Sequence, residues 1–353
     1  MRLGLLVSGL FGLLVPCLSA TPAGAEEALS FKDKTPVMLV GAAPGGGTDA
    51  VARLVAAHIG AWLPGHPTFV VRNMPGAGGV VALNSFVKQA KPDGLMLFTG
   101  SGTESDPLHY RAVNAIYDLS ALHYLGGMGR TGTALLINKQ AAQGLLDKNQ
   151  PPVTMGALTA IRSGMQMALW GTEYFGWNMR WVMGYPSNAE LVLALDREEF
   201  DMTSLSEVEK VRAFLASGRF QPLAQSGALI DGKLVPQAAF GDLPLLTDLL
   251  AGKVTDPVAD KALTYWRTIT LVGQWVALPP DTPEAIASLY RTAFGKMMQD
   301  QEFKQQAANI EPDIIAMSGE DVLGLMKLLA GTPPEALAYM VGLQKKQGLH
   351  VAE

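Results

Sequence analysis

The 353-residue chain carries 27 basic and 32 acidic residues (formal net charge −5), with 48% apolar residues, 38 glycines and one cysteine. High apolar content with only 17% charged residues excludes a disordered chain, and the acid excess excludes a basic nucleic-acid footprint. A single cysteine builds neither a disulfide framework nor a zinc ribbon, and the length predicts about two domains at roughly 150 residues each.

In chain order, residues 1–25 read as a secretory signal peptide. Arg2 precedes an apolar run from Leu3 to Leu18, and Ala23-Gly24-Ala25 supplies the small-residue cleavage pattern before Glu26. Gly and Ser dilute the run and no basic flank follows, which argues against a membrane anchor; Pro16 before Cys17 argues against a lipoprotein site. Cleavage near Ala25 removes the only thiol together with Arg2 and no acid, so the mature charge becomes −6. No later stretch reaches the ~18 or more apolar residues of a membrane span. The expected product is a soluble periplasmic protein.

Residues 36–42 predict a buried strand, 43–47 a glycine loop, and Thr48 the N-cap of a helix. Val51, Leu54, Val55, Ile59 and Trp62 share one face of that helix, and Asp49 suits its positive start. The pattern then repeats with a strand at 68–72, a glycine loop at 73–79, a helix at 80–90, a Lys91-Pro92-Asp93-Gly94 turn and a strand at 95–99. Strand–loop–helix units in series mean a parallel sheet with helices on its faces. Strands at 134–138, 153–157, 179–183 and 200–204 with helices at 163–175 and 188–195 predict a second α/β unit. Residues 268–278 read as an apolar strand, and 282–298 and 319–329 as helices.

Both early glycine loops join a strand to a helix start. Glycine admits positive φ and close backbone approach, and the helix start offers unpaired N–H groups, so such a loop suits an anion. A purely structural turn has the same letters, but two such loops on consecutive parallel units reach one sheet edge. Neither loop is a nucleotide motif: the first lacks the lysine of a phosphate-binding loop, and the glycine spacing is wrong for a dinucleotide fingerprint. Residues 127–132 match G-x-G-x-x-G in letters, yet a strand follows where the fingerprint needs a helix, so the match is read as chance.

Ala43-Pro44-Gly45-Gly46-Gly47-Thr48-Asp49 with Ala52-Arg53-Leu54 resembles the first signature of the tripartite tricarboxylate transporter receptors, the Bug family. Residues 72–79 resemble their second signature and 91–94 their third, with weaker echoes in order along nearly the whole mature chain. The resemblance implies an α/β, two-lobed periplasmic binding protein of type II-like fold. Each lobe would be a mainly parallel sheet flanked by helices, with a hinge crossed twice. Residues 28–130 plus 258–353 would form lobe 1 and 131–257 lobe 2. It also implies a small carboxylate ligand, delivered to a membrane permease of the tripartite tricarboxylate type by a monomer without cofactor or metal.

By the same resemblance, first-lobe contacts fall at Gly46, Gly47, Thr48, Asp49, Ala77, Gly78 and Gly79. Ser101, Gly102 and Thr103 lie past the third strand, either as contacts at the same edge or as an ordinary polar turn. In the second lobe, Arg162 and Ser163 stand at a helix start. A guanidinium there suits a second carboxylate, against the reading of a surface arginine paired with a nearby acid. Tyr185, Pro186, Ser187 and Asn188 stand where relatives carry a Tyr-Lys-Gly turn, and Thr203 and Ser204 occupy the strand-end Asp-Ser position. Trp170, Tyr174, Phe175, Trp177 and Trp181 either wall a pocket or fill a helix core.

Two rival functions share parts of this pattern. A ligand-sensing module for a membrane signalling partner has the same fold and pocket. A periplasmic hydrolase or lyase is the weaker rival: the five histidines, His58, His66, His109, His123 and His350, show no metal-ligand spacing, and no nucleophile-elbow motif is present. No catalytic residue is expected.

Overall fold

The protein was analysed as a computed structural model that describes residues 29–113, 115–158, 163–185, 188–310 and 314–349. The signal sequence and Arg162 lie outside the described residues, and Ser163 is placed by its backbone alone.

The N-terminal part runs β1 (Val37–Val40), α1 (Gly47–His58), β2 (Val70–Asn73), α2 (Val80–Gln89), β3 (Met96–Gly100), two single-turn helices α3 (Gly102–Ser105) and α4 (Pro107–Tyr110), and β4 (His123–Gly129). The middle part runs β5 (Ala134–Asn138), β6 (Val153–Ala157), α5 (Ser163–Tyr174), β7 (Met179–Met183), α6 (Asn188–Asp196), β8 (Met202–Leu205), α7 (Val208–Ala216) and β9 (Phe220–Gln225). A hairpin of β10 (Ala228–Ile230) and β11 (Lys233–Val235) follows, then α8 (Leu246–Leu250) and α9 (Pro257–Leu271). The chain closes with β12 (Gln274–Leu278), α10 (Glu284–Gln299), α11 (Gln301–Ala308), β13 (Ile315–Ser318), α12 (Gly319–Ala330) and α13 (Pro334–Lys346).

Two main sheets result, ordered β13-β4-β12-β3-β1-β2 and β7-β6-β8-β5-β9. The same motif sits inside both. β1 is parallel to β2 on one side and β3 on the other, just as β6 is parallel to β7 and β8. Each trio is flanked by an antiparallel strand that starts at the hinge: β12 beside β3, and β5 beside β8. The sheets are therefore mixed rather than mainly parallel, because the strands entering from the hinge run against the βαβ units. The register then fixes the cleft. Trp275, near the start of β12, pairs with Gly100 at the end of β3, and Ala134 at the start of β5 pairs with Leu205 at the end of β8. Both sets of parallel strands thus point their C-terminal ends at the hinge, where ligands bind in open α/β sheets.

The strand expected over 268–278 begins only at Gln274, and its first part is the end of α9. Asp256 caps that helix by accepting from Val258 N–H at 2.8 Å, Pro257 opens it, and Ala259, Ala262, Tyr265 and Trp266 are buried at helical spacing. The β-branched Thr268 and Thr270 are accommodated by hydroxyl bonds to the carbonyls of Thr264 and Arg267, at 2.7 and 2.6 Å. Packing overrides the strand propensity of these residues.

In the aromatic stretch after residue 162, Trp170 is core, and Tyr174, Phe175, Trp177 and Trp181 are half-buried against it. Trp170 is fully buried, stacked on Tyr174 and Tyr339 at centroid distances of 5.7 and 6.1 Å, with Trp266 at 6.5 Å. These rings join α5, beside the second sheet, to α9 and α13.

Candidate ligand-binding cleft

The first-lobe loops are built as one interlocked unit. After β1, the loop 41–46 is tied down by Asp49, whose buried carboxylate accepts from Gly45 N–H at 2.8 Å, Arg53 Nε at 2.9 Å and Asn73 Nδ2 at 2.8 Å. Burial alone would raise this carboxyl, but the three donors outweigh it and hold its pKa at about 2. Asn73, the last residue of β2, also donates to Ala42 O at 3.0 Å, so the first two loops share a polar clasp. Gly46 is the N-cap of α1 without a side-chain cap, which leaves the first amides of α1 at an exposed edge.

The second and third loops lock together in a different way. Ala77, Gly78 and Gly79 all have positive φ, at 43°, 57° and 94°. His109 Nε2 lies 3.0 Å from Ala77 O. The carboxylate of Glu104 packs against Gly79, and it accepts from Ser101 N–H at 3.0 Å and from Ser101 Oγ at 2.5 Å. Burial raises the Glu104 carboxyl above its usual range against the lowering effect of the Ser101 bonds. Asp106 is likewise raised by burial, and accepts from Tyr265 Oη at 2.8 Å. Trp275 Nε1 donates to Ser105 Oγ at 2.9 Å and reaches Ser101 O at 3.2 Å, tying the third loop to the strand that returns through the hinge.

Across the hinge, a cleft of about 250 Å³ opens between the ends of β6 and β8. At this point adjacent strand ends diverge, since the connection after β6 leads to β7 on one side and that after β8 leads to β9 on the other. Its walls are Gly156–Leu158 and Gly164–Met165 on one side, residues 203–207 on another, and the hinge segments Arg130–Thr133 and Gly273–Gln274. Gly164, in the first turn of α5, lies directly against Ser204 and Thr133, so a side chain there would fill the cleft floor. A larger groove of about 770 Å³ runs between α10 and α12, but it lies away from the strand ends that face the hinge.

No protein-family model and no curated protein sequence matches the chain. Solved structures do. A TctC solute-binding protein from Polaromonas aligns at a TM-score of 0.67 and 18% identity, over 90% of this chain and 100% of its own. R. palustris Rpa4515, solved with adipate, gives 0.53 and 18% over 90% and 98%. A structure described as a periplasmic transporter gives 0.52 and 18% over 91% and 99%. The fold is that of a two-lobed periplasmic binding protein.

Within that fold, the residues expected from sequence divide. Gly46, Gly47, Ala77 and Gly78 are exposed at the hinge-facing edge, with Thr48 half-buried beside them. Thr48 is the second residue of α1 rather than its N-cap, because Asp49 already fastens the preceding loop. Asp49 is buried with both oxygens engaged, so it shapes the loop instead of presenting a carboxylate to a ligand. Gly79 is buried, and Ser101 uses its hydroxyl on Glu104 and on Thr103 N–H, leaving Gly102 and Thr103 at the surface of that turn. Thr203 and Ser204 both border the cleft, but the buried Oγ1 of Thr203 is engaged, donating to Gly156 O at 2.9 Å. Tyr185 turns away: its ring packs on Phe200 and its hydroxyl points to Glu199 at 3.4 Å.

The cleft also holds residues that sequence reading missed: Arg130, Thr131, Thr133, Ser206, Glu207 and Gln274. The letter match at 127–132 marked their neighbourhood, although it is no fingerprint. Gly127 and Gly129 let β4 lie tightly between β12 and β13, and Arg130 begins the crossing. No helix among the described residues is long and apolar enough to span a membrane, and no group of three or more metal-ligating side chains is found among them.

Proposed function

We propose that the chain is an exported receptor of the tripartite tricarboxylate transporter type that captures a small carboxylate between its lobes. The carrying observation is that the parallel strands of both sheets end at the hinge, those of the first in the glycine loops after β1 and β2 and those of the second in the β6/β8 cleft. The loops supply helix-start amides for an anion, and the cleft supplies hydroxyl and amide groups. The signature-like loops at 43–49 and 72–79 and the fold shared with the Polaromonas TctC protein support this reading, as does the adipate held by the R. palustris protein. Gly46–Thr48 and Ala77–Gly78 hold one carboxylate through backbone N–H groups, Ser204 donates from the second lobe, and Arg162 and Ser163 add to it. Ligand stabilises the closed arrangement by its differential affinity for it, and the monomer then hands it to a membrane permease.

Thermal-shift measurement on the mature protein with three- to six-carbon diacids, hydroxy acids, acidic amino acids and aromatic acids tests this. At least one should raise the melting point clearly. A flat response across the set, with stabilisation by neutral sugars, rejects the carboxylate reading. Loss of uptake of that acid on deletion of the gene tests the permease step; intact uptake with a lost transcriptional response points to a sensor.

A further inference from the structure

Two hinge segments each place one polar side chain in the same cleft. Arg130 follows the last residue of β4, and Gln274 opens β12 opposite Met128, two residues before Arg130 in the register. Both line the cleft, and Arg130 is the cationic side chain among its described lining residues. The guanidinium also reaches the first lobe: its Nη2 lies 4.0 Å from where a Cβ on Gly102 would stand. It therefore spans the gap between the third first-lobe loop and the second-lobe wall. Gln274 adds a second signal. Its amide oxygen is buried and has no hydrogen-bond partner among the described residues, a state that is unfavourable until a donor arrives.

We infer that Arg130 and Gln274 form the specificity pair of the receptor, resting on the carboxylate reading above. Arg130 takes the ligand carboxylate remote from the glycine loops as a charge-assisted pair, and Gln274 accepts from a hydroxyl or ammonium group beside it. The chemical class so selected is a short dicarboxylate bearing a hydroxyl or amino substituent. Because both residues sit at the adjacent ends of β4 and β12, the ligand bonds to the hinge itself, and the net charge of the chain does not need to favour an anion.

Titration calorimetry with succinate, malate, aspartate and succinamate (succinate with one carboxylate made an amide) tests the pair on the full mature chain. Wild type should prefer malate or aspartate to succinate, and succinate to succinamate. Arg130→Gln should weaken the diacids about tenfold to a hundredfold and abolish the preference over succinamate, with Arg130→Lys recovering part of it. Gln274→Leu should remove the preference for malate or aspartate while leaving succinate within about threefold. An Arg130→Gln variant that keeps the diacid-to-amide ratio, or weakens every ligand equally, overturns the inference while the receptor reading stands. Failure of wild type to bind any carboxylate overturns both.

Discussion

The carboxylate of Glu104 occupies the space that a Cβ on Gly79 would need. Gly79 also has φ of 94°, so both space and backbone favour glycine there. Gly79→Ala should lower stability by about 1–3 kcal/mol and weaken carboxylate binding, because the second and third loops move together. Gly252→Ala is the control: its φ is 73° but nothing lies within 4 Å, so only backbone strain remains. Equal melting-point losses for the two variants, by calorimetry, would show that the interlock is unimportant.

Glu104 and Asp49 should respond to pH in opposite senses. Burial raises the Glu104 carboxyl above its usual value, so its ionised form is disfavoured in the folded chain. The stability linked to the protonated form is complete below the unfolded pKa and is lost as pH rises through the folded one. Glu104→Gln therefore should gain on wild type as pH goes from 4 to 8, read as urea midpoints. A constant difference across that range would refute the argument.

For Asp49 the folded pKa of about 2 lies below the usual carboxylate range. Its contribution is complete above the unfolded pKa near 4 and fades as pH falls toward 2. Asp49→Asn should destabilise by about 1–3 kcal/mol at pH 7, and the deficit should narrow below pH 4. Loss of ligand affinity should accompany it, since an asparagine keeps one acceptor oxygen and leaves either the Gly45–Arg53 side or the Asn73 side of the clasp without one. An Asp49→Asn deficit that grows in acid would contradict the clasp.

Tyr339→Phe removes the 2.8 Å bond between the Tyr174 and Tyr339 hydroxyls. The expected loss is about 1 kcal/mol, with ligand affinity unchanged within twofold, because these half-buried rings pack against the core and do not line the cleft. Trp170→Ala should cost about 3–5 kcal/mol. A large affinity change in Tyr339→Phe with little change in stability would return the aromatic stretch to the pocket.

Local chemistry determined a good part of this protein. The glycine loops, the helix face through Val51, Leu54 and Val55, and the repeated strand–loop–helix units are short-range patterns, and each appears where periodicity and turn chemistry put it. The α/β class and the hinge-facing loop edge follow from them. Tertiary structure decided the rest. Thr268–Leu271 became helix because burial against α12 and α13 outweighs β propensity. Asp49, a polar residue at a ligand-like position, turned inward because unmet donors stood close by at Gly45 N–H, Arg53 and Asn73. Thr203 instead donates to the Gly156 carbonyl. Arg130 and Gln274 are 144 positions apart in the chain and share no motif. Only the antiparallel pairing of β4 with β12 brings them to one cleft, and sequence spacing carries no trace of a contact that a sheet register creates.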